Sequence, residues 1–165
     1  MMATPAVPTQ AVEFEITNMI GHLLRACQQA HVAIWSDIFP AGLTSPQFAV
    51  LNALAQEGEL NQTTLRSRAR LDRSTAADVI RRLAARQLIT HIKDPADARR
   101  RLVRLTQAGR AVYAEAVDRA LTVNETVLGG LDEAQRTQLV SLLQALLDQH
   151  SDLLGYEVDK APVTG

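Results

Sequence analysis

Arginines are the residues in this sequence best equipped for chemistry. Between Asn61 and Arg110 the chain carries 13 basic side chains against 4 acidic ones, a local net of +9. All but Lys93 are arginine. A guanidinium offers a fixed fork of donors that matches phosphate and base edges, where an ammonium is a point charge. The rest of the chain holds 4 bases and 14 acids, so a near-neutral total of −1 conceals a basic middle between acidic ends. That asymmetry is the informative quantity. Leu65, Leu71, Val79, Ile80, Leu83, Leu88, Ile89, Leu102 and Leu105 are threaded through the block. It is therefore a folded segment rather than a solvated basic tract, and its chemistry is that of a nucleic-acid binder.

Other chemistries find less support. There is no glycine-rich phosphate loop, no nucleophile elbow and no paired His/Glu metal motif, so an enzyme is not expected. His22, Cys27 and His31 share one helix, but His22 and Cys27 do not share a face, and a metal site needs three or four convergent ligands. No cofactor is implied. Cys27 lies on an apolar stripe, where a buried thiol without a cationic neighbour is inert. His31 follows four residues on, so a redox-responsive regulator acting through Cys27 stays as the alternative. A protein-binding module is the other class in contention, and the 13-to-4 charge imbalance favours phosphate over it. No apolar run approaches a membrane span. The N-terminus lacks a basic n-region, and one cysteine makes no internal disulfide, so a cytoplasmic location is expected.

The elements that must position the arginines follow from the pattern. Gln62–Ala69 and Arg73–Arg86 read as short helices separated by Arg70, Leu71 and Asp72, the second capped by Asp72 or Ser74. This is helix-turn-helix order, whose second helix enters the major groove N-terminus first. Arg73, Ser74, Thr75 and Asp78 face outward near that end, and Arg81 joins them as a DNA-facing base. Arg73 suits a fork onto guanine. Asp78 either accepts from a cytosine amine or pairs with Arg81 or Arg82 within the helix. Leu88–Lys93 and Arg101–Leu105 read as strands joined by a turn containing Pro95, Arg99 and Arg100. Together they form a wing whose arginines, Arg101 included, suit a narrow minor groove.

Thr44, Pro46 and Gln47 start a further helix with a capping box, and Gly58 ends it. Long Ala- and Leu-rich helices flank the basic module, over 12–38, Gln107–Leu128 and Asp132–Leu154. In the first, Ile16, Ile20, Leu23, Cys27, Ala30 and Ile34 recur at helical spacing. Few charges interrupt it, so it needs covering on more than one side, and a subunit interface follows. A second stripe, Asn18, His22, Arg25, Gln29 and Ser36, is polar. It is either a solvated face or the wall of a ligand pocket in which His22 and Arg25 recognise an anion. The expected fold is mostly α with a small β-hairpin wing, a winged helix-turn-helix flanked by N- and C-terminal dimerisation helices. Its expected divisions are a disordered N-terminus (1–11), a helical dimerisation region (12–38 and 107–154), a DNA-binding domain (39–106) and a C-terminal tail (155–165).

Four segments, taken in order, resemble the MarR (multiple antibiotic resistance regulator) family: LTSPQFAVL at 43–51, LDRST at 71–75, DPADAR at 94–99 and LTQAG at 105–109. The resemblance covers about Phe14 to Leu154. It implies an obligate homodimer on a pseudo-palindromic double-stranded operator, usually a repressor, released when a small molecule binds between the dimerisation helices and the winged lobe. It also implies that Arg99 enters the minor groove with Asp97 orienting it. Ala98 stands where another arginine is frequent, so Arg100 shares that role. Asp78 stands where many members have a basic residue, which alters the bases read. The segment Gly21–Arg25 is similar to members that regulate aromatic-acid catabolism. It implies an aromatic carboxylate or its thioester as effector, with His22 and Arg25 near the anion, Gln29 beside them and Phe48 as an apolar wall.

Overall fold

The computed structural model describes residues 15–39, 42–97 and 99–154. The expected tails, 1–11 and 155–165, lie outside the described residues, as do Val12–Phe14 of the expected first helix. Within the described part that helix is shorter than its apolar periodicity suggests. Ile16–Asn18 form a single 3-10 turn, Met19 takes an extended backbone, and α1 runs only over Ile20–Ile38. Thr17 and Asn18 are weak helix formers, and Asn18 Nδ2 turns back to donate to Glu15 Oε2 at 3.4 Å.

Side-chain caps set the other boundaries. Thr44 Oγ1 accepts from Gln47 N at 3.4 Å and Gln47 Oε1 accepts from Thr44 N at 3.2 Å, the reciprocal box that opens α2 (Ser45–Glu57). Gly58, at φ +84°, closes it. A two-residue strand, β1 (Leu60–Asn61), was not legible as a strand. Next come α3 (Gln62–Arg68), α4 (Arg73–Ala85), β2 (Ile89–Lys93) and β3 (Arg101–Leu105). The expected hairpin is thus part of a three-stranded antiparallel sheet in the order β1-β3-β2. Ile89 faces Leu105 and Lys93 faces Arg101 across the hairpin, while Leu60 faces Val103 on the other edge.

Thr106 caps α5 (Gln107–Leu128), and Asp132 caps α6 (Glu133–Gln149) with a second capping box to Gln135. The last expected helix is interrupted at His150, and α7 covers Ser151–Leu154.

The core lies under the winged module. Val50, Leu51, Leu65, Leu83 and Val103 are wholly shielded from solvent, drawn from α2, α3, α4 and β3. Each stabilises the fold by roughly 1.5–3 kcal/mol through burial. Trp35 and Phe39 of α1, with Ala116 and Val123 of α5, join the same cluster. Ile34, Ile38, Val112, Tyr113 and Ala120 pack against it, and much of the remaining apolar surface of the flanking helices is bare. Ile20 and Leu121 are each 60 % exposed and Leu142 is 57 % exposed, and α6 buries no side chain within the subunit. Cys27, expected on a covered stripe, is exposed, as are Ile20, Leu23 and Leu24 beside it on α1. No helix among the described residues is long and apolar enough to cross a membrane.

Candidate nucleic-acid interface and effector pocket

The turn between α3 and α4 is built without glycine. Arg70 takes a left-handed backbone (φ +51°), Arg70 N donates to Ser67 O at 3.0 Å and Leu71 N to Arg66 O at 3.1 Å. This is a Schellman closure with arginine at the position that glycine usually holds. It leaves only Leu71 and Asp72 before α4 starts.

Asp72 then fixes the exposed end of α4. Its carboxylate accepts from Ser74 N and Thr75 N, both at 2.9 Å, from Ser74 Oγ at 2.6 Å and from the Thr75 hydroxyl. These bonds, led by the Ser74 hydroxyl, hold the Asp72 carboxyl well below the usual carboxylate range. Both hydroxyl protons are committed to Asp72, so Ser74 and Thr75 present acceptor lone pairs outward. Arg73, beside them, is exposed. Asp78 takes the intrahelical option: Arg82 Nε stands 2.6 Å from its carboxylate and Arg81 pairs with its other oxygen. The hydrogen bond from Arg82, then that from Arg81, lowers the Asp78 pKa. In the free chain both Asp78 oxygens are therefore engaged, and so is Arg81.

In the wing, Asp97 acts on backbone. Its Oδ1 accepts from Arg99 N at 3.0 Å, its carbonyl accepts from Arg100 N at 2.9 Å, and Asp94 Oδ1 accepts from Ala96 N at 2.8 Å. The tip is shaped by these Asx-type bonds, and the guanidinium of Arg99 stays clear of Asp97. Arg100 Nε lies 4.0 Å from Asp94. Among the described residues no hydrogen bond or ion pair engages the guanidinium of Arg73, Arg99 or Arg101. Three unpaired arginines thus head the two protruding elements.

The expected effector residues do not form one cluster. His22 and Arg25 meet, with Nη2 and Nδ1 3.4 Å apart, and the exposed Gln29 lies one turn further along the same face. Phe48 sits elsewhere, 5.7 Å by ring centroid from Trp35 and 5.7 Å from Tyr113. Successive helix residues turn about 100°, so His31, nine positions from His22, is on the opposite side of α1. It is His31 that approaches the aromatic group, 6.0 Å from Trp35, and its Nδ1 is buried with no partner among the described residues. Buried polar atoms are nearly always satisfied, so an orphan beside aromatic rings calls for an explanation. Tyr113 completes the group, its hydroxyl donating to Asn52 Oδ1 at 2.8 Å. Sequence reasoning did not join His31, Trp35 and Tyr113 to Phe48; the His31–Trp35 spacing of one helical turn was the available signal for part of the group.

The winged architecture with these motifs matches the MarR family model over residues 43–100, from α2 to the wing tip. The HTH-type transcriptional repressor NicR of Pseudomonas putida is 33 % identical over 147 residues, which cover 88 % of this chain and 93 % of that protein. The chain belongs to the MarR family. Among solved MarR-family structures, BpsR of Bordetella bronchiseptica, whose DNA binding is regulated by 6-hydroxynicotinic acid, is 39 % identical with a TM-score of 0.79, covering 82 % of this chain and 97 % of that one. PcaV of Streptomyces coelicolor, solved with its natural ligand, is 38 % identical with a TM-score of 0.77, covering 82 % and 96 %. These MarR-family relatives are transcriptional regulators and not enzymes. The redox alternative through Cys27 gains no support from them.

Proposed function

We propose that the protein is a homodimeric repressor that holds operator DNA and releases it when an aromatic carboxylic acid binds beside α1. The observation that carries the DNA reading is the set of unpaired guanidinia at the two protrusions, Arg73 on α4 and Arg99 on the wing. Arg73 reaches a guanine edge in the major groove, where O6 and N7 accept from one fork. Ser74 and Thr75 offer acceptors beside it. Asp78 and Arg81 join the interface once their mutual pair opens. Arg99, with Arg100 and Arg101 behind it, enters the adjacent minor groove, and Asp97 sets the loop that aims them.

The bare apolar faces of α1, α5 and α6 support the second subunit, since they have no cover within one chain. The dimerisation region is 12–38 with 107–154, and the DNA-binding domain is 39–106. Two-fold symmetry then sets half-sites about 10 bp apart. The effector lies against Trp35, Phe48 and Tyr113, with the buried His31 Nδ1 meeting its polar group. His22, Arg25 and Gln29 face away from that group, so they act on an effector at the junction with the second subunit. DNA binding with no membrane-spanning helix among the described residues supports a cytoplasmic location.

Footprinting of DNA upstream of the protein's own gene tests this reading. The expected result is two protected half-sites about one helical turn apart, lost when an aromatic acid is added. Protection with no symmetry, or protection that every acid leaves intact, would overturn it.

A further inference from the structure

We propose that Arg86 is a positioning residue that couples the effector pocket to the DNA-reading helix; the proposal rests on the function proposed above. Arg86 is the C-cap of α4. Its Nη1 donates to the Gly42 carbonyl at 2.7 Å and reaches Gln47 Oε1 at 3.4 Å. Gly42 and Leu43 belong to the connection between α1 and α2. The neighbouring carbonyl, that of Leu43, accepts from Trp35 Nε1 at 2.6 Å. The same two residues are thus held from one side by the pocket tryptophan and from the other by the end of the reading helix.

Displacement has a defined route through these bonds. Trp35 stacks on Phe39 at 4.4 Å and is the ring that joins Phe48 to His31. An aromatic acid entering beside Trp35 either carries the indole and the Leu43 carbonyl with it or breaks their hydrogen bond. Either event moves Gly42, whose left-handed backbone (φ +87°) only glycine adopts without strain. Moving the Gly42 carbonyl pulls on, or frees, Arg86 and with it the end of α4. Close-packed interiors resist such a shift, but here there is room. A cavity of about 200 Å³ borders this connection, lined by Phe39, Leu43, Arg86, Val112, Ala116 and Arg119. Coupling between two sites needs an element that both ligands bias, and in this proposal that role belongs to the connection beside this cavity.

The test is operator affinity with and without saturating acid, using 6-hydroxynicotinic acid and a set of hydroxybenzoic acids as probes, for the wild-type dimer, Arg86→Met and Arg86→Lys. Acid binding to each protein is measured separately by calorimetry. Arg86→Met keeps the apolar stem against the cavity and removes every donor; a wild-type melting temperature shows that it folds. Acid should weaken operator binding by wild type roughly 5- to 150-fold, and by Arg86→Met less than about 3-fold while the acid still binds. Arg86→Lys should recover part of the effect, since one ammonium donor still reaches the Gly42 carbonyl. Undiminished coupling in Arg86→Met overturns the relay and leaves the effector reading standing. A wild-type dimer that no acid releases overturns the effector reading, and the relay with it.

Discussion

Replacing Gly109 by alanine should cost the protein far more than one methyl group suggests. Gly109 is buried in the first turn of α5, where its backbone N–H donates to Thr106 Oγ1 at 3.0 Å. A Cβ there would overlap the Leu88 carbonyl oxygen and stand 2.9 Å from the Leu88 carbonyl carbon. That carbonyl cannot step aside freely, because it accepts from Thr106 N at 3.0 Å, while the Thr106 hydroxyl, which donates mainly to the Gln87 carbonyl at 2.7 Å, stands 3.1 Å away. Overpacking of this kind costs roughly 1–3 kcal/mol. Weakening the Thr106 N–H bond adds about 1 kcal/mol. Alanine returns about 1 kcal/mol of helix propensity. The net is a destabilisation of about 1–3 kcal/mol, read from urea unfolding at one fixed protein concentration because a dimer's stability depends on it. Leu88 precedes β2, so the displacement also tilts the root of the wing, and operator affinity should fall in the fraction that stays folded. Stability within about 0.5 kcal/mol of wild type would refute this packing argument.

Three further outcomes follow. Arg73→Ala should weaken operator binding by roughly 1–3 kcal/mol and relax preference at one base pair, as read by binding to an operator library; uniform weakening on every sequence would make Arg73 a phosphate contact instead. Asp72→Ala should lower the melting temperature at pH 7, and the gap to wild type should close as the solution is acidified below the ordinary aspartate pKa of 3.8. The sign follows from Asp72 having a depressed pKa in the folded chain: its contribution is present above the unfolded value and is lost as pH falls toward the folded one. A gap that persists in strong acid would mean that the carboxylate is not the cap. His31→Phe removes the orphaned nitrogen while keeping a ring, so acid affinity measured by calorimetry should drop about 10-fold or more, the loss of one charge-assisted hydrogen bond. Unchanged affinity would place the acid elsewhere.

Much of the fold was legible because its boundaries are local. Thr44 with Gln47, Asp72 and Thr106 each bond backbone within three residues, so their signals survive in sequence alone. The two wing strands were likewise legible from apolar residues threaded between arginines, though not their register. What failed depended on distant neighbours. β1 is two residues long and exists only because β3 pairs with it. Cys27 sits on an apolar stripe that its own subunit leaves uncovered. The break at Met19 cuts an apolar periodicity that continues across it. The arginines proposed to face DNA could be named from charge, but whether Asp78 pairs with Arg81 and Arg82 or stays free needed the geometry. The residues proposed to meet the effector were the least legible. His22 and Arg25 look like an anion site by type, yet Phe48 joins Trp35 and Tyr113 through contacts between α1, α2 and α5 that no spacing within one helix reveals.

In the proposed mechanism operator and aromatic acid oppose each other through one dimer. Calorimetric titration of an acid that the dimer binds, into free dimer and into dimer saturated with operator, tests it most directly. Linkage requires the acid to bind the complex more weakly, by the same factor by which it weakens operator binding. Equal acid affinity for free and operator-bound dimer would contradict the claim.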